Sequence, residues 1–331
     1  MKAAMKYTSA ILLVMMLDSQ TSRARDATNA QQVQKVHSDS TVWLSRMMLT
    51  SVPPEVFQMK SMQSLTLSWN LLASLPDSFG VLQELKTLDL SNNELVSLPD
   101  SFGNLVELES LDLSGNLDLI NLPESFRRLQ KLRKLVLSGN SGMNFRSVLT
   151  ICSGLPDLVE LTMDHCGVHV LPDEVSWPKQ LRSLDLRWNY IETIPRAIRG
   201  LDSLTTLKLA DNRIGSIPRE AQFPPKLAFL DLSRNKGIDL KSLFTALSGV
   251  DSLQVLDLSG CEIGLIPDEI CMLSQVRFWY LSKNPIQELP PTIKKMKKLQ
   301  VMLLYDTLLT PKQIRLYHKW LPKCVFKGRT R

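Results

Sequence analysis

Residues 85–95 read Leu-Lys-Thr-Leu-Asp-Leu-Ser-Asn-Asn-Glu-Leu, and a Leu-Pro pair ending at Pro99 follows. Apolar and polar residues alternate around Leu88 and Leu90, which predicts a short strand with one buried face. Asn93 comes next, and an asparagine side chain can hydrogen-bond the backbone of a turn. Proline then prevents a strand from continuing and presets the next turn. We therefore expect a strand, a turn and a separate return segment.

The same pattern recurs along most of the chain, and its last position defines a slot. The slot recurs at steps of 23 residues, with one step of 24 and two of 26, and a proline follows it in nine copies. The slot residues are Met47, Asn70, Asn93, Asn116, Asn140, Cys166, Asn189, Asn212, Asn235, Cys261, Asn284 and Thr307. Such a period predicts a solenoid, because no single coil can bury its leucines alone. The asparagines should form a buried ladder from coil to coil.

These repeats resemble the leucine-rich-repeat family in its 23-residue form, with Leu-Pro or Ile-Pro after the asparagine. The resemblance covers residues 41–309 and implies an α/β fold, a curved horseshoe solenoid of about 11–12 coils. Parallel strands would line the concave face, with short helices or irregular segments on the convex face. The two 26-residue steps, near Gly142 and Gly237, lose the Leu-Pro pair and end on a cysteine slot. They predict true helices on the convex side.

The N-terminus has the features of a secretory signal peptide. Two lysines precede an apolar run at residues 10–17 that is too short to span a membrane. Small residues at Ser22 and Ala24 suit cleavage, so residues 1–24 are expected to be removed on export. The alternative is a disordered start to a cytoplasmic protein. Residues 25–40 are expected to be a polar lead-in.

Residues 310–331 are expected to close the far end of the solenoid with a capping helix and a basic tail. Thr310 suits the N-cap and Pro311 the first helical position. Ile314, Tyr317 and Leu321 fall on one face at helical spacing, which would cover the last coil. Similar closing segments are found in bacterial leucine-rich-repeat proteins.

The net charge is concentrated at this end of the chain. Residues 294–331 contain eleven Lys or Arg and a single acid, Asp306, which gives +10, whereas residues 1–293 sum to −4. One interpretation is a contact with an anionic partner or surface. The other is a solvated cap helix and tail without a binding role.

No catalytic or metal-binding constellation stands out in the sequence. His165, Cys166 and His169 are residue types that bind zinc, yet the repeat register points Cys166 into the ladder. A Gly-rich phosphate loop and a nucleophile elbow are both missing from the sequence. The five cysteines lack the clusters of extracellular animal family members, which indicates a scaffold without disulfides. We expect no enzymatic activity, no cofactor and no metal site.

The resemblance implies that variable strand positions on the concave face bind partners. Early coils have small residues there, such as Ser64 and Thr87, whereas later coils have aromatic and charged residues. The candidate partner-binding residues are Asp185, Arg187, Trp188, Lys208, Phe229, Arg234, Phe278, Tyr280, Lys283 and Tyr305. Aromatic residues and arginine dominate binding hot spots. Trp188 also has a structural interpretation, as a cover for the coil edge.

The sequence thus predicts a non-enzymatic scaffold that binds a protein partner and is exported by a bacterium, so that it is secreted or periplasmic. An intracellular adaptor similar to the Ras-group leucine-rich-repeat proteins is one alternative, and it would be cytoplasmic. A binder of anionic surfaces through residues 294–331 is another. No nucleic-acid partner and no transmembrane segment are expected.

Overall fold

The computed structural model describes residues 40–174, 176–218 and 221–328. In this part of the chain thirteen parallel strands form one sheet, and each strand pairs with the strands before and after it. They are β1 Thr41–Trp43, β2 Ser64–Thr66, β3 Thr87–Asp89, β4 Ser110–Asp112, β5 Lys134–Val136, β6 Glu160–Thr162, β7 Ser183–Asp185, β8 Thr206–Lys208, β9 Phe229–Asp231, β10 Val255–Asp257, β11 Phe278–Tyr280, β12 Val301–Leu303 and β13 Val325–Lys327. The register is constant, so the middle leucines pair along the sheet.

Return segments connect each strand to the next. Seven of those described contain a short 3-10 helix: Pro54–Gln58, Asp77–Val81, Asp100–Asn104, Glu124–Arg128, Arg196–Gly200, Asp268–Leu273 and Pro291–Lys295. A proline precedes each of them, because its fixed φ presets the turn and it has no N–H to leave unpaired. The two 26-residue coils instead contain α-helices, α1 Phe145–Cys152 and α2 Leu240–Leu247. This confirms the helices predicted from the longer steps.

The core lies between the sheet and the return segments. In β1 to β12 the middle residue of each strand and the apolar residue two positions later point inward, and Leu88 and Leu90 are almost fully buried. In the N-terminal coils the rings of Phe79, Phe102 and Phe126 stack at centroid distances of 6.1 and 6.0 Å. The coils approach so closely that a Cβ on Gly103 would collide with the Ser125 carbonyl oxygen. Glycine is therefore required there.

Buried asparagines join neighbouring coils, as predicted. The Asn93 Nδ2 donates to the Leu67 carbonyl of the preceding coil at 3.0 Å and to its own Leu90 carbonyl at 3.0 Å. Its Oδ1 accepts from the Leu72 backbone N–H at 3.2 Å. Asn189 makes the same three types of bond. Each amide thus satisfies backbone groups that the turn leaves without partners.

A helix and a strand together close the C-terminal end. The helix α3, Pro311–Trp320, begins with a capping box at Thr310, and its Tyr317 and the following Leu321 are buried in the core. The Tyr317 hydroxyl accepts a 2.9 Å hydrogen bond from the Leu289 backbone N–H. The chain then forms β13 on the edge of β12, where the sequence analysis expected only a basic tail.

The N-terminal expectations lie outside the described residues. These are the signal peptide, residues 1–24, and the polar lead-in, residues 25–40, of which only Ser40 is described. In the part of the chain that the structure does describe, no helix is long and apolar enough to cross a membrane.

Replacing Asn93 or Asn189 by leucine is expected to lower the free energy of unfolding by about 1–3 kcal/mol, because buried backbone groups lose their partners. Urea denaturation followed by circular dichroism measures this loss. The control is Asn121→Leu, an exposed asparagine in a return segment, which should change stability by no more than about 0.5 kcal/mol. If both ladder variants unfold at the parent urea concentration, the ladder does not contribute to stability.

Candidate functional site

The ten candidate residues occupy four positions of the repeat. Phe229 and Phe278 are first residues of strands, and Asp185, Lys208 and Tyr280 are third residues. Arg187 and Tyr305 lie two residues after a strand, and Trp188, Arg234 and Lys283 lie in the turn before the ladder slot. First and third strand residues point away from the buried middle residue, because side chains alternate along a strand. They therefore lie on the open face of the sheet, which we term the concave face.

Three of the candidates form one ionic cluster at the middle of the concave face. Arg187 donates to the buried Asp185 carboxylate from Nε at 2.9 Å and from Nη2 at 2.8 Å. Lys208 Nζ lies 3.5 Å from the same carboxylate. The hydrogen bonds to Asp185 raise the pKa of Arg187, although partial burial opposes this. The Asp185 carboxylate thus holds the Arg187 side chain in one position.

An apolar strip runs along the last five strands. It consists of the first residues of β9 to β13, which are Phe229, Val255, Phe278, Val301 and Val325. They are direct neighbours in the parallel register. At a strand spacing of about 4.8 Å, the strip is roughly 19 Å long. The equivalent residues of β2, β3 and β4 are Ser64, Thr87 and Ser110, so the apolar character belongs to the C-terminal half.

Side chains beside the strip change from acidic to aromatic towards the C-terminus. The third residues of β9 and β10 are Asp231 and Asp257, and burial, helped by the charge of Asp231, raises the pKa of Asp257. The third residue of β11 is Tyr280, which is half-buried, and Tyr305 nearby is 43% exposed. An apolar patch with polar groups at its border has the composition of a protein interface.

The turns at one edge of the sheet form a second surface, the turn ridge, defined by His165, Trp188, Asp211 and Arg234. All four have left-handed backbone, with φ between 54° and 58°. The His165 ring stacks on Trp188 at 5.2 Å, and the Arg234 guanidinium lies 5.7 Å from the Trp188 ring. Arg234 also pairs with Asp211 at 3.2 Å. Trp188 remains 46% exposed despite these contacts.

Several residues of these two surfaces and their surroundings were not predicted from the sequence. Val255 and Val325 belong to the apolar strip. Val255 was predictable, because it holds the same repeat position as Phe229 and Phe278. Beside the turn ridge, the His169 ring stacks on Tyr190 at 4.9 Å, and the Arg213 guanidinium lies 4.5 Å from the same ring. These residues could have been found in the sequence because large side chains follow three successive slot residues.

The histidines and the cysteine considered for zinc do not converge. The Cys166 thiol points inward and donates to the Leu137 carbonyl at 3.1 Å. His165 Nδ1 lies 2.7 Å from the Asp164 carboxylate. Burial opposes ionisation of Asp164, but hydrogen bonds from Ser138 and His165 outweigh it and lower its pKa. Across residues 40–174, 176–218 and 221–328, no three metal-ligating side chains lie close enough to hold a metal ion.

A family model described as leucine rich repeat matches residues 41–95, 75–117, 85–141, 156–214, 179–236 and 202–263. These matches together span more than half of the chain. The chain belongs to the leucine-rich-repeat family. Members of this family typically act as non-enzymatic binding scaffolds, because a solenoid presents an extended surface. A search of curated protein sequences gave no match.

Solved leucine-rich-repeat structures are similar to the protein over most of its length. A leucine-rich-repeat protein from Leptospira interrogans is 27% identical with a TM-score of 0.55, covering 90% of this chain and 98% of that one. An internalin from Listeria monocytogenes is 18% identical with a TM-score of 0.68, covering 91% and 84%. TLR13, in a complex with ssRNA13, is 21% identical with a TM-score of 0.64, covering 92% and 52%. The last two similarities show the fold alone.

Replacing Trp188 by glycine is expected to change the free energy of unfolding by less than about 1 kcal/mol. Glycine already occupies the equivalent turn position at Gly115 and Gly139, with positive φ. Glycine adopts a positive φ without the strain that tryptophan has there, and this gain should offset the lost stacking on His165. Each effect is on the order of 1 kcal/mol. Urea denaturation of the variant tests this, and a loss above about 2 kcal/mol would make Trp188 a structural cover of the coil edge.

Proposed function

We propose that the protein is a non-enzymatic scaffold that captures a protein partner on the C-terminal half of its concave face. The observation that carries this proposal is the apolar strip. Within β9 to β13, the neighbours of Phe229 and Phe278 on adjacent strands are valines. Tyr280 and Tyr305 extend this apolar area. The corresponding positions of the early coils hold serine and threonine, which add little binding energy.

The strip suits a protein partner because its side chains do not serve the core. The middle residues of β9 to β12 are buried on the other side of the sheet, so the fold does not require phenylalanine on the concave face. Aromatic side chains bury a large area and lose little conformational entropy, and a few of them can dominate an interface. The turn ridge adds a second aromatic and cationic contact zone next to the ionic cluster.

The candidate polar residues would supply orientation rather than most of the affinity. Arg187 is already ordered by Asp185, so its remaining N–H donors can contact a partner with little further loss of side-chain freedom. Arg234 and Lys283 are exposed in turns and would contact the border of an interface. A protein partner also fits better than a nucleic acid, because the strip is apolar and borders the carboxylates of Asp231 and Asp257.

The triple change Phe229→Ala, Phe278→Ala and Tyr280→Ala is expected to weaken capture of the partner at least 30-fold, which corresponds to about 2 kcal/mol. Proteins retained by the immobilised parent chain are identified by mass spectrometry, and the affinity of the main one is then measured for each variant. Circular dichroism of the variant checks that the fold persists.

The matched control is Ser64→Ala with Thr87→Ala, which alters the equivalent strand positions of the early coils. This variant should bind within about twofold of the parent, since small exposed side chains contribute little. Normal capture by the triple variant together with failure of this early-coil variant would place the partner on the N-terminal half and contradict the proposal.

We also propose that the protein is exported by a bacterium through residues 1–24. The lysines, the apolar run and the small residues before Arg25 support this. N-terminal sequencing of the mature protein from its native source is expected to start close to Arg25. A mature protein that retains residues 1–24 would favour the alternative of a cytoplasmic adaptor.

A further inference from the structure

The C-terminal end of the solenoid presents a continuous cationic surface, which we term the basic end. Its members are Lys294, Lys295, Lys297, Lys298, Lys312, Arg315, Lys319, Lys323 and Lys327, and all of them are exposed. Between residues 289 and 328 the only acid is Asp306. In the described part of the chain, none of the nine cations forms an ion pair. The group as a whole therefore carries a net positive charge at the surface.

The outer face of α3 combines this charge with an exposed apolar side chain. Tyr317 and Leu321 point into the core, whereas Lys312, Arg315 and Lys319 lie at helical spacing on the opposite face. Leu316 lies at the border of this face, next to Lys312 and Lys319 at helical spacing, and is 41% exposed. Core packing does not explain Leu316, since the inward positions of the helix are already filled.

A neighbouring aromatic side chain strengthens the same surface. Trp320 is half-buried at the end of α3, and the Lys294 ammonium lies 4.4 Å from its ring centroid. This contact connects α3 to the 3-10 helix Pro291–Lys295 of the preceding coil. The cations of the two segments thus form one surface rather than two separate clusters.

We propose that the basic end docks on the surface of an anionic phospholipid bilayer. Lysine and arginine near such a surface are attracted by its negative potential, and their contributions add. An exposed apolar side chain at the border of a cationic face gains from insertion between lipid headgroups. A soluble polyanion such as a sulfated sugar would use the lysines but not Leu316, so the exposed leucine favours the lipid surface.

Vesicle sedimentation with the full chain tests the proposal. The chain is expected to bind vesicles of phosphatidylcholine with 30% phosphatidylglycerol in 50 mM NaCl, and to bind at least tenfold more weakly in 500 mM NaCl, because salt screens exposed charges. Binding to vesicles of phosphatidylcholine alone should be at least tenfold weaker. Equal binding to the two vesicle types would overturn the proposal.

Two charge variants of equal net charge separate a local surface from the general charge of the protein. Neutralising α3 and its flank with Lys312→Gln, Arg315→Gln, Lys319→Gln and Lys323→Gln is expected to weaken vesicle binding at least tenfold. The matched control, Arg128→Gln, Arg133→Gln, Lys179→Gln and Lys226→Gln, removes four exposed cations elsewhere and should stay within twofold of the parent. Equal losses in both variants would overturn the proposal.

A third variant distinguishes a lipid surface from a polyanion. Leu316→Gln leaves the charge unchanged and is expected to weaken vesicle binding at least threefold, while elution from a heparin column stays at the parent salt concentration. Unchanged vesicle binding would indicate a purely ionic polyanion site and overturn the proposal. The concave triple variant should bind vesicles like the parent, so this test is independent of the protein-binding function. A loss of vesicle binding in the concave variant would overturn the assignment to the basic end.

Discussion

The amide of the ladder asparagine is the interaction on which the rest of the structure depends. Each coil turns sharply after its strand, which leaves backbone carbonyl and N–H groups inside a leucine core. One asparagine carries both donors and an acceptor, so a single side chain satisfies groups of two coils, as Asn93 does for Leu67 of the preceding coil and Leu90 of its own. This requirement fixes the turn, the strand register and the spacing of the coils, because the next asparagine must meet the same groups one repeat later.

The two cysteine slots follow from the same requirement. Cys166 and Cys261 follow the two 26-residue coils, which contain α1 and α2, and a thiol can donate but offers no amide oxygen. In both coils the thiol still donates to a leucine carbonyl of the preceding coil, at 3.1 and 3.2 Å. In the second coil the N–H of Gly237, two residues after the Asn235 slot, bonds to the Cys261 carbonyl instead. In this coil a backbone carbonyl thus replaces the amide oxygen, so a slot residue that only donates is sufficient.

Most of the fold was predictable because the same sequence pattern recurs in coil after coil. The strand positions, the buried asparagines, both convex helices and the inward residues of α3 follow from spacing alone. The strand β13 did not, since Val325–Lys327 carries no repeat pattern and is held by backbone pairing with β12. For the candidate site, the sequence indicated which side chains leave the core. It could not indicate that Asp185 binds the Arg187 guanidinium, which depends on the side-chain conformation of Arg187. Nor could it indicate that His165 stacks on Trp188, which depends on the distance between neighbouring coils.

Within each strand, different residues face the core and the concave face, which explains how one scaffold can carry distinct surfaces. The middle residue is fixed by the core, whereas the first and third residues can change from serine to phenylalanine without altering the backbone. The closing strand shows the consequence most directly. Val325 extends the apolar strip while Lys327, two residues on, belongs to the basic end, and the pairing with β12 holds both in place. The element that protects the end of the core therefore also joins the apolar strip to the basic end.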